Sequence, residues 1–210
     1  MKKILFCLLL ISYQSAFSEV QTYSVPTEVS KGNAFIFPSK EYKVELVQDK
    51  VFSPFVYTMN AMHITNVSKT TGWVNFSFSG KVKVRVTKLN GNIEFCQVLP
   101  KSKNVKVGIT GSVVEFELSE AGHYSVEFQK GIIIDHPLLI FANPLETDFP
   151  TKNDPNTIYF GDGIHEIGDK YVIPSNKNVY ISGGAYIKGQ FYGENGENIS
   201  VSGRGIISGE

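Results

Sequence analysis

Among the side chains of this sequence, the carboxylates are the ones whose types and spacing invite a chemical reading. Two carboxyls held about 6.5–9.5 Å apart can split a glycosidic bond with inversion, one protonating the leaving oxygen and the other activating water. Acids stacked one or two coils apart in a β-solenoid would span such distances, since its strands repeat about every 4.8 Å. In the C-terminal quarter Asp162 aligns with Gly183 and Gly203, and Glu166 aligns with Ile187 and Ile207, so neither has an acidic counterpart. Asp169 aligns with Gln190 and then with Glu210, and this is the one stacked pair. Both of its members follow a turn glycine, and solvated loop acids are the heavier reading.

The remaining candidates have plain structural readings. Asp162-Gly163 is a turn dipeptide. His165-Glu166 lacks the second histidine of a zinc-hydrolase helix and lies in a strand context. Asp135-His136-Pro137 has no nucleophile elbow to serve and reads as a strand-end turn. Trp73 and the tyrosines offer flat faces to sugar rings. Trp73 also flanks the Val74/Phe76/Phe78 stripe, which favours packing or docking. Cys7 lies in a leader segment and leaves Cys96 without a disulfide partner, and the strand-like neighbours Phe95 and Val98 predict a buried, inert thiol there. Four dispersed histidines give no ligand spacing. No catalytic, cofactor-binding or metal-ligating residue is therefore assigned, and no cofactor is expected. Asn66-Val-Ser68, Asn75-Phe-Ser77 and Asn198-Ile-Ser200 fit the glycosylation pattern, which matters only in a eukaryotic secretory host.

The elements that would position these residues are strands. The 210 residues carry 20 basic and 20 acidic side chains, a balance that argues against capture of nucleic acid. Phenylalanine, tyrosine and glycine are abundant, which suits pleated sheets and tight turns. Residues 1–18 read as a signal peptide, with Lys2 and Lys3, an apolar run from Ile4 to Ile11 and a small-residue cleavage site at Ala16-Phe17-Ser18. That segment predicts a secreted or periplasmic protein, free of the membrane once cleaved. Residues 19–142 read as an antiparallel β-sandwich. Val82, Val84 and Val86 alternate with Lys81, Lys83 and Arg85; Val114, Phe116 and Leu118 with Val113, Glu115 and Glu117; and Tyr124, Val126 and Phe128 with His123, Ser125, Glu127 and Gln129. Tyr42–Gln48, Trp73–Ser79 and Ile93–Leu99 are weaker strand candidates, and no stretch has a helical period. Residues 143–156, with prolines at 144, 150 and 155, read as a linker.

Residues 157–210 repeat. Thr157–Gly168, Asn178–Gly189 and Asn198–Gly209 line up with starts 21 and then 20 residues apart. Each holds an apolar-x-apolar pair, a glycine turn, a second short strand and a closing glycine. The pairs are Ile158/Phe160, Val179/Ile181 and Ile199/Val201. Repeats of this length are coils of a β-solenoid, with each pair forming an inward ladder. Gly183-Gly184 and Gly203 are expected to supply positive φ at corners. Glu166 falls where Ile187 and Ile207 point inward, so a one-residue slip is expected in the first coil. A leucine-rich repeat would need leucines that these coils lack. Chance likeness among hairpins is the other competitor. The fold class is thus all-β: an antiparallel sandwich followed by the start of a right-handed parallel β-helix, with its last coil uncapped and its strand edges open to pairing.

The segments Ile158-Tyr-Phe-Gly-Asp-Gly-Ile-His-Glu-Ile-Gly168, Val179-Tyr-Ile-Ser-Gly-Gly-Ala-Tyr-Ile-Lys-Gly189 and Gly203-Arg-Gly-Ile-Ile-Ser-Gly-Glu210 resemble the opening coils of secreted polysaccharide hydrolases. The order of sandwich, linker and helix most resembles glycoside hydrolase family 49, the dextranases and isopullulanases. The coils alone are also similar to family 28, the polygalacturonases. Trp73–Val86 and Pro137–Ala142 resemble the family 49 sandwich. The resemblance implies hydrolysis of a polysaccharide by aspartates on the helix surface, several coils beyond Glu210, so no catalytic position carries over. The expectation is the N-terminal portion of a polysaccharide-degrading hydrolase, inactive alone, whose polysaccharide meets the coils that follow. A non-catalytic carbohydrate-binding or cell-surface module, or part of a polysaccharide lyase or adhesin, is the alternative, because one scaffold hosts several chemistries.

Overall fold

The computed structural model describes residues 18–60, 69–131 and 134–210. The leader segment, Ser18 apart, and the Asn66-Val-Ser68 pattern lie outside these residues. The chain is all-β. Among the described residues the helical segments are one turn at Thr27–Ser30 and a short 3-10 turn at Lys101–Lys103, neither of which shows as a period in the sequence.

Two sheets face each other across the first core. The seven-stranded sheet runs in the order Phe37–Pro38, Tyr57–Asn60, Thr70–Ser79, Leu138–Pro144, Gly122–Glu127, Gln97–Leu99, and Glu19–Thr22 also pairs with Thr70–Ser79. The five-stranded sheet runs Val51–Phe52, Tyr42–Val47, Val82–Lys88, Val113–Leu118, Gly108–Thr110. Alternation decides which face is buried. Val82, Val84 and Val86 pair across the sheet with Leu118, Phe116 and Val114, and all are buried. They pack against Val74, Phe76, Leu138 and Ile140 of the other sheet. Between these apolar rows Arg85 points outward, its Nε donating to Glu115 at 2.7 Å and its Nη1 to Glu45 at 3.2 Å.

The structure corrects the expected antiparallel pattern at one place. Leu138–Pro144 runs parallel to Thr70–Ser79, with Leu138 opposite Gly72 and Pro144 opposite Phe78. A parallel pair needs a long connection, and residues 80–137 supply it through the other strands. The candidate strand Ile93–Leu99 shortens to Gln97–Leu99. Cys96 lies just before it and is buried, and burial raises its thiol to about 12.

After the linker the strands stack as three parallel rungs. Thr157–Phe160, Asn178–Ile181 and Ser200–Gly203 form one sheet; Gly163–Val172, Ala185–Tyr192 and Ile206–Ser208 form another. Phe160, Val179, Ile181, Ala185 and Ile187 point into a common core. The expected slip in the first rung is present: His165 pairs with Ile187 and Glu166 with Lys188, and an irregularity restores Gly168 to Gly189.

The third rung departs from the spacing of 20 expected between it and the second. Ser200–Gly203 pairs with Asn178–Ile181, so Val201, not Ile199, stacks on Val179. Ile206–Ser208 then pairs with Tyr186–Lys188 at the expected spacing. The corner between the two strands absorbs the two-residue difference. Gly205 makes the tight corner possible, because a Cβ there would lie 2.4 Å from Ile181 and 2.5 Å from the Ser182 carbonyl. Gly203 adopts φ 120° as expected, whereas Gly183 and Gly184 do not have positive φ. Their lack of a side chain serves close approach instead. A Cβ on Gly183 would lie 2.0 Å from the Tyr23 ring, and one on Gly184 2.1 Å from the Ser24 hydroxyl.

A third apolar cluster joins sandwich and rungs. Ile164, Tyr186 and Ile206, one from each rung, project outward against Val29, Ile36, Tyr57 and Trp73. Trp73 stacks on Tyr57, ring centroids 5.3 Å apart and 13° from parallel, which is the docking role its sequence neighbourhood suggests.

Candidate functional site

The linker folds back along the outward face of the first rung sheet and forms a cleft with it. Alternation turns Tyr159 and Tyr180, which pair across the rungs, away from the solenoid core. Their rings lie 5.2 Å apart at 31°, and Phe149 of the linker stacks on Tyr180 at 6.5 Å and 29°. Phe149 is 59% exposed, so an aromatic face lies open to solvent. Hollows of about 240 and 450 Å3 are both lined by this ring. The larger also has Asp148, Asn178, Ser200 and Ser202 on its walls; the smaller has Glu146, Asp162 and Ser182. An exposed ring flanked by carboxylates, hydroxyls and an amide is suited to a sugar, whose ring has an apolar face and a polar rim.

Three carboxylates of the cleft, Asp162, Glu146 and Asp154, are already engaged. Asp162 accepts from Ser24 at 2.5 Å and from the Ser182 hydroxyl, linking the segment after the first sandwich strand to the second rung. The two serines, Ser182 foremost, hold its carboxyl below the ordinary value of 3.8. Glu146 accepts from the Tyr180 hydroxyl at 2.9 Å. Burial, and then that bond to Glu146, push the Tyr180 phenol up. Asp154 accepts from the Asn156 N–H and the Thr157 hydroxyl, each at 2.9 Å, and these bonds lower its carboxyl. Carboxylates held this way orient partners and polar ligands; they are not placed as a free acid and a free base.

The sequence-derived candidates separate in the structure. Asp162 sits in the cleft, beside Gly184 rather than Gly183. Asp169 and Glu210 do not form a pair: Asp169 is exposed beside the irregularity in its strand, and Glu210 accepts a hydrogen bond from the buried Tyr186 hydroxyl. Glu166 points outward, and His165 takes the inward place, packed edge-on against Phe160 and bonded through Nε2 to the Gly161 carbonyl at 2.6 Å. Asp135 pairs with Lys69 at 3.3 Å, and His136 Nδ1 bonds Thr70 Oγ1 at 2.7 Å, which makes this motif a strand-end clasp. Asn75 of the second glycosylation pattern spends its amide on the Arg204 carbonyl at 2.6 Å. Sequence reasoning missed Phe149, Glu146 and Asp148, which lie in a segment read only as linker; the aromatic within a proline-rich run was the available signal. Among the described residues no group of three or more His, Cys, Asp or Glu could hold a metal ion, and no helix is long and apolar enough to cross a membrane.

The sequence matches no family model and no curated protein. Among solved structures the chain is similar to Dex49A from Penicillium minioluteum, with a TM-score of 0.63 and 16% identity, over 91% of this chain and 48% of that one. The chain thus spans about half the length of Dex49A, and at this identity the likeness establishes the fold, an all-β architecture that the two share.

Proposed function

We propose that this chain is the N-terminal part of an exported, polysaccharide-degrading glycoside hydrolase. In this reading the linker cleft holds sugar rings of the substrate, and the acid–base carboxylates lie beyond residue 210. The observation that carries the proposal is the extent of the likeness to Dex49A, which covers 91% of the chain, sandwich and rungs together. The cleft supports it with an exposed Phe149 ring stacked toward Tyr180, and with carboxylates bound up in orienting bonds.

Two assays on the purified chain test it. Affinity electrophoresis through dextran, pullulan and polygalacturonate should show retardation by at least one polymer, weakened about tenfold by Phe149→Ala, since loss of a stacking face costs on the order of 1 kcal/mol. No retardation by any of the three would remove the sugar-binding role of the cleft. Reducing ends should not accumulate in the same polymers, and their release by the 210 residues alone would overturn the placement of the catalytic groups elsewhere. A second reading, a carbohydrate-binding module without catalysis, is favoured by the fully engaged Asp162. Further in-frame rungs in the gene would discriminate against it.

A further inference from the structure

A separate cavity of about 330 Å3 opens where the third rung meets the outer face of the seven-stranded sheet. Trp73, Phe141 and His123 give it aromatic walls, and Asn75, Asn143 and Arg204 its polar groups. The walls are fixed. Trp73 is stacked on Tyr57, and His123 meets Phe141 edge-on at 5.2 Å. The amides are fixed too, because Asn143 Nδ2 donates to Asn75 Oδ1 at 2.8 Å while Asn75 Nδ2 donates to the Arg204 carbonyl.

Arg204 is the charged group of this pocket that the fold leaves without a carboxylate partner among the described residues. Its Nη1 and Nη2 make long contacts, each 3.4 Å, to the Gly203 and Pro144 carbonyls, and its side chain also lies within bonding reach of the Tyr23 phenol. Its Nε is buried with no acceptor, and among the described residues no carboxylate pairs with it. The neighbouring Tyr23 phenol is raised by burial, and the Ser77 bond and the charge and hydrogen bond of Arg204 pull it back down against the Glu146 charge. A guanidinium has five donors in a planar fork that matches a carboxylate, and leaving it half-satisfied at a junction is costly.

We propose that this pocket binds a hexuronate, a sugar ring bearing a carboxylate. The carboxylate pairs with Arg204, the apolar face of the ring lies against the aromatic walls, and the hydroxyls meet the amides. The volume lies within the range of small-ligand pockets, which are likewise mostly apolar with a few placed polar groups. A neutral sugar would leave the guanidinium as it is, and a simple carboxylate would leave the walls and amides unused. The site lies apart from the linker cleft, and the inference stands whether or not the longer protein hydrolyses a polysaccharide.

Trp73 is the sole tryptophan of the sequence, so its emission reports on this pocket directly. The 210-residue chain would be titrated with galacturonate and glucuronate, and with glucose and acetate at matched ionic strength. A saturable change is expected with at least one uronate, and about tenfold weaker binding of glucose and acetate, the loss of one charge-assisted pair. Arg204→Gln should weaken the uronate about tenfold or more, and Arg204→Lys less, because a lysine keeps the charge but not the fork. No saturable change with either uronate, an equal response to glucose or acetate, or an unaltered titration in Arg204→Gln would overturn the proposal. If Arg204→Gln does not fold by circular dichroism, His123→Ala on the outer wall substitutes for it; weaker uronate binding is expected, and unchanged binding would overturn the proposal. Linker-cleft variants such as Phe149→Ala should leave this titration unchanged, which separates its failure from that of the cleft.

Discussion

Asp162 illustrates how much a single side chain can hide from its sequence neighbours. Read locally, it begins a turn dipeptide, and the turn is there. Its work is non-local: Ser24 is 138 residues away and Ser182 is 20 away, so no window of sequence contains the latch. Its carboxyl is lowered in the folded chain, chiefly by Ser182 and Ser24. The resulting stability is fully present above the unfolded value near 3.8 and is lost as pH falls below it toward the folded value. Asp162→Asn should therefore cost about 1 kcal/mol at pH 7, a figure reduced from that of buried charged hydrogen bonds because the group is exposed. At pH 2 the difference between variant and parent should shrink, and urea titrations at the two pH values would measure both. The carboxylate pair Asp169/Glu210 fails for the same kind of reason. Tyr186, buried at the junction, takes Glu210 for its hydroxyl, and Glu210 raises that phenol, already raised by burial, to about 12.

At the scale of elements the sequence is more transparent where a strand has one wet face. Val82–Lys88 and Val113–Leu118 follow directly from alternating valines and charges, since register there is enforced by burial. Rung strands also declare themselves, through recurring apolar pairs. What alternation does not encode is the length of a corner. The third rung is two residues shorter between its strands than a constant repeat implies, and only the neighbouring rung shows it. Ile187 is fully buried in the middle of this stack, and Ile187→Ala should cost about 2–5 kcal/mol. Gly183→Ala tests the close approach at the adjacent corner. Its new methyl must displace the Tyr23 ring, and overpacking of this kind costs about 1–3 kcal/mol. Chemical denaturation of both variants would check the two magnitudes. A wild-type midpoint for Gly183→Ala would show that Tyr23 yields freely.

Over the whole molecule, sandwich and rungs are joined by apolar packing rather than by a tether alone. Ile164, Tyr186 and Ile206 give each rung a foot on the sandwich, and Tyr186 is only 1% exposed. The expected outcome is one cooperative thermal transition. Tyr186→Ala should remove about 3–5 kcal/mol of burial at the junction and split the calorimetric trace into two transitions. A single transition in that variant would mean that the linker cleft and the Asp162 latch suffice to couple the two bodies.

The parallel strand has a consequence for how the sandwich could be handled as a part. Glu19 lies opposite Ser79 on one edge of Thr70–Ser79, and Pro144 lies opposite Phe78 on the other. The chain therefore enters and leaves the sandwich on either side of one strand, about 10 Å apart by two strand spacings. A part whose two ends meet can be excised, transplanted or circularly permuted without stretching its backbone. A few residues bridging Pro144 to Glu19, with new ends opened in the exposed Asn90-Gly91 turn, would give a free-standing cassette.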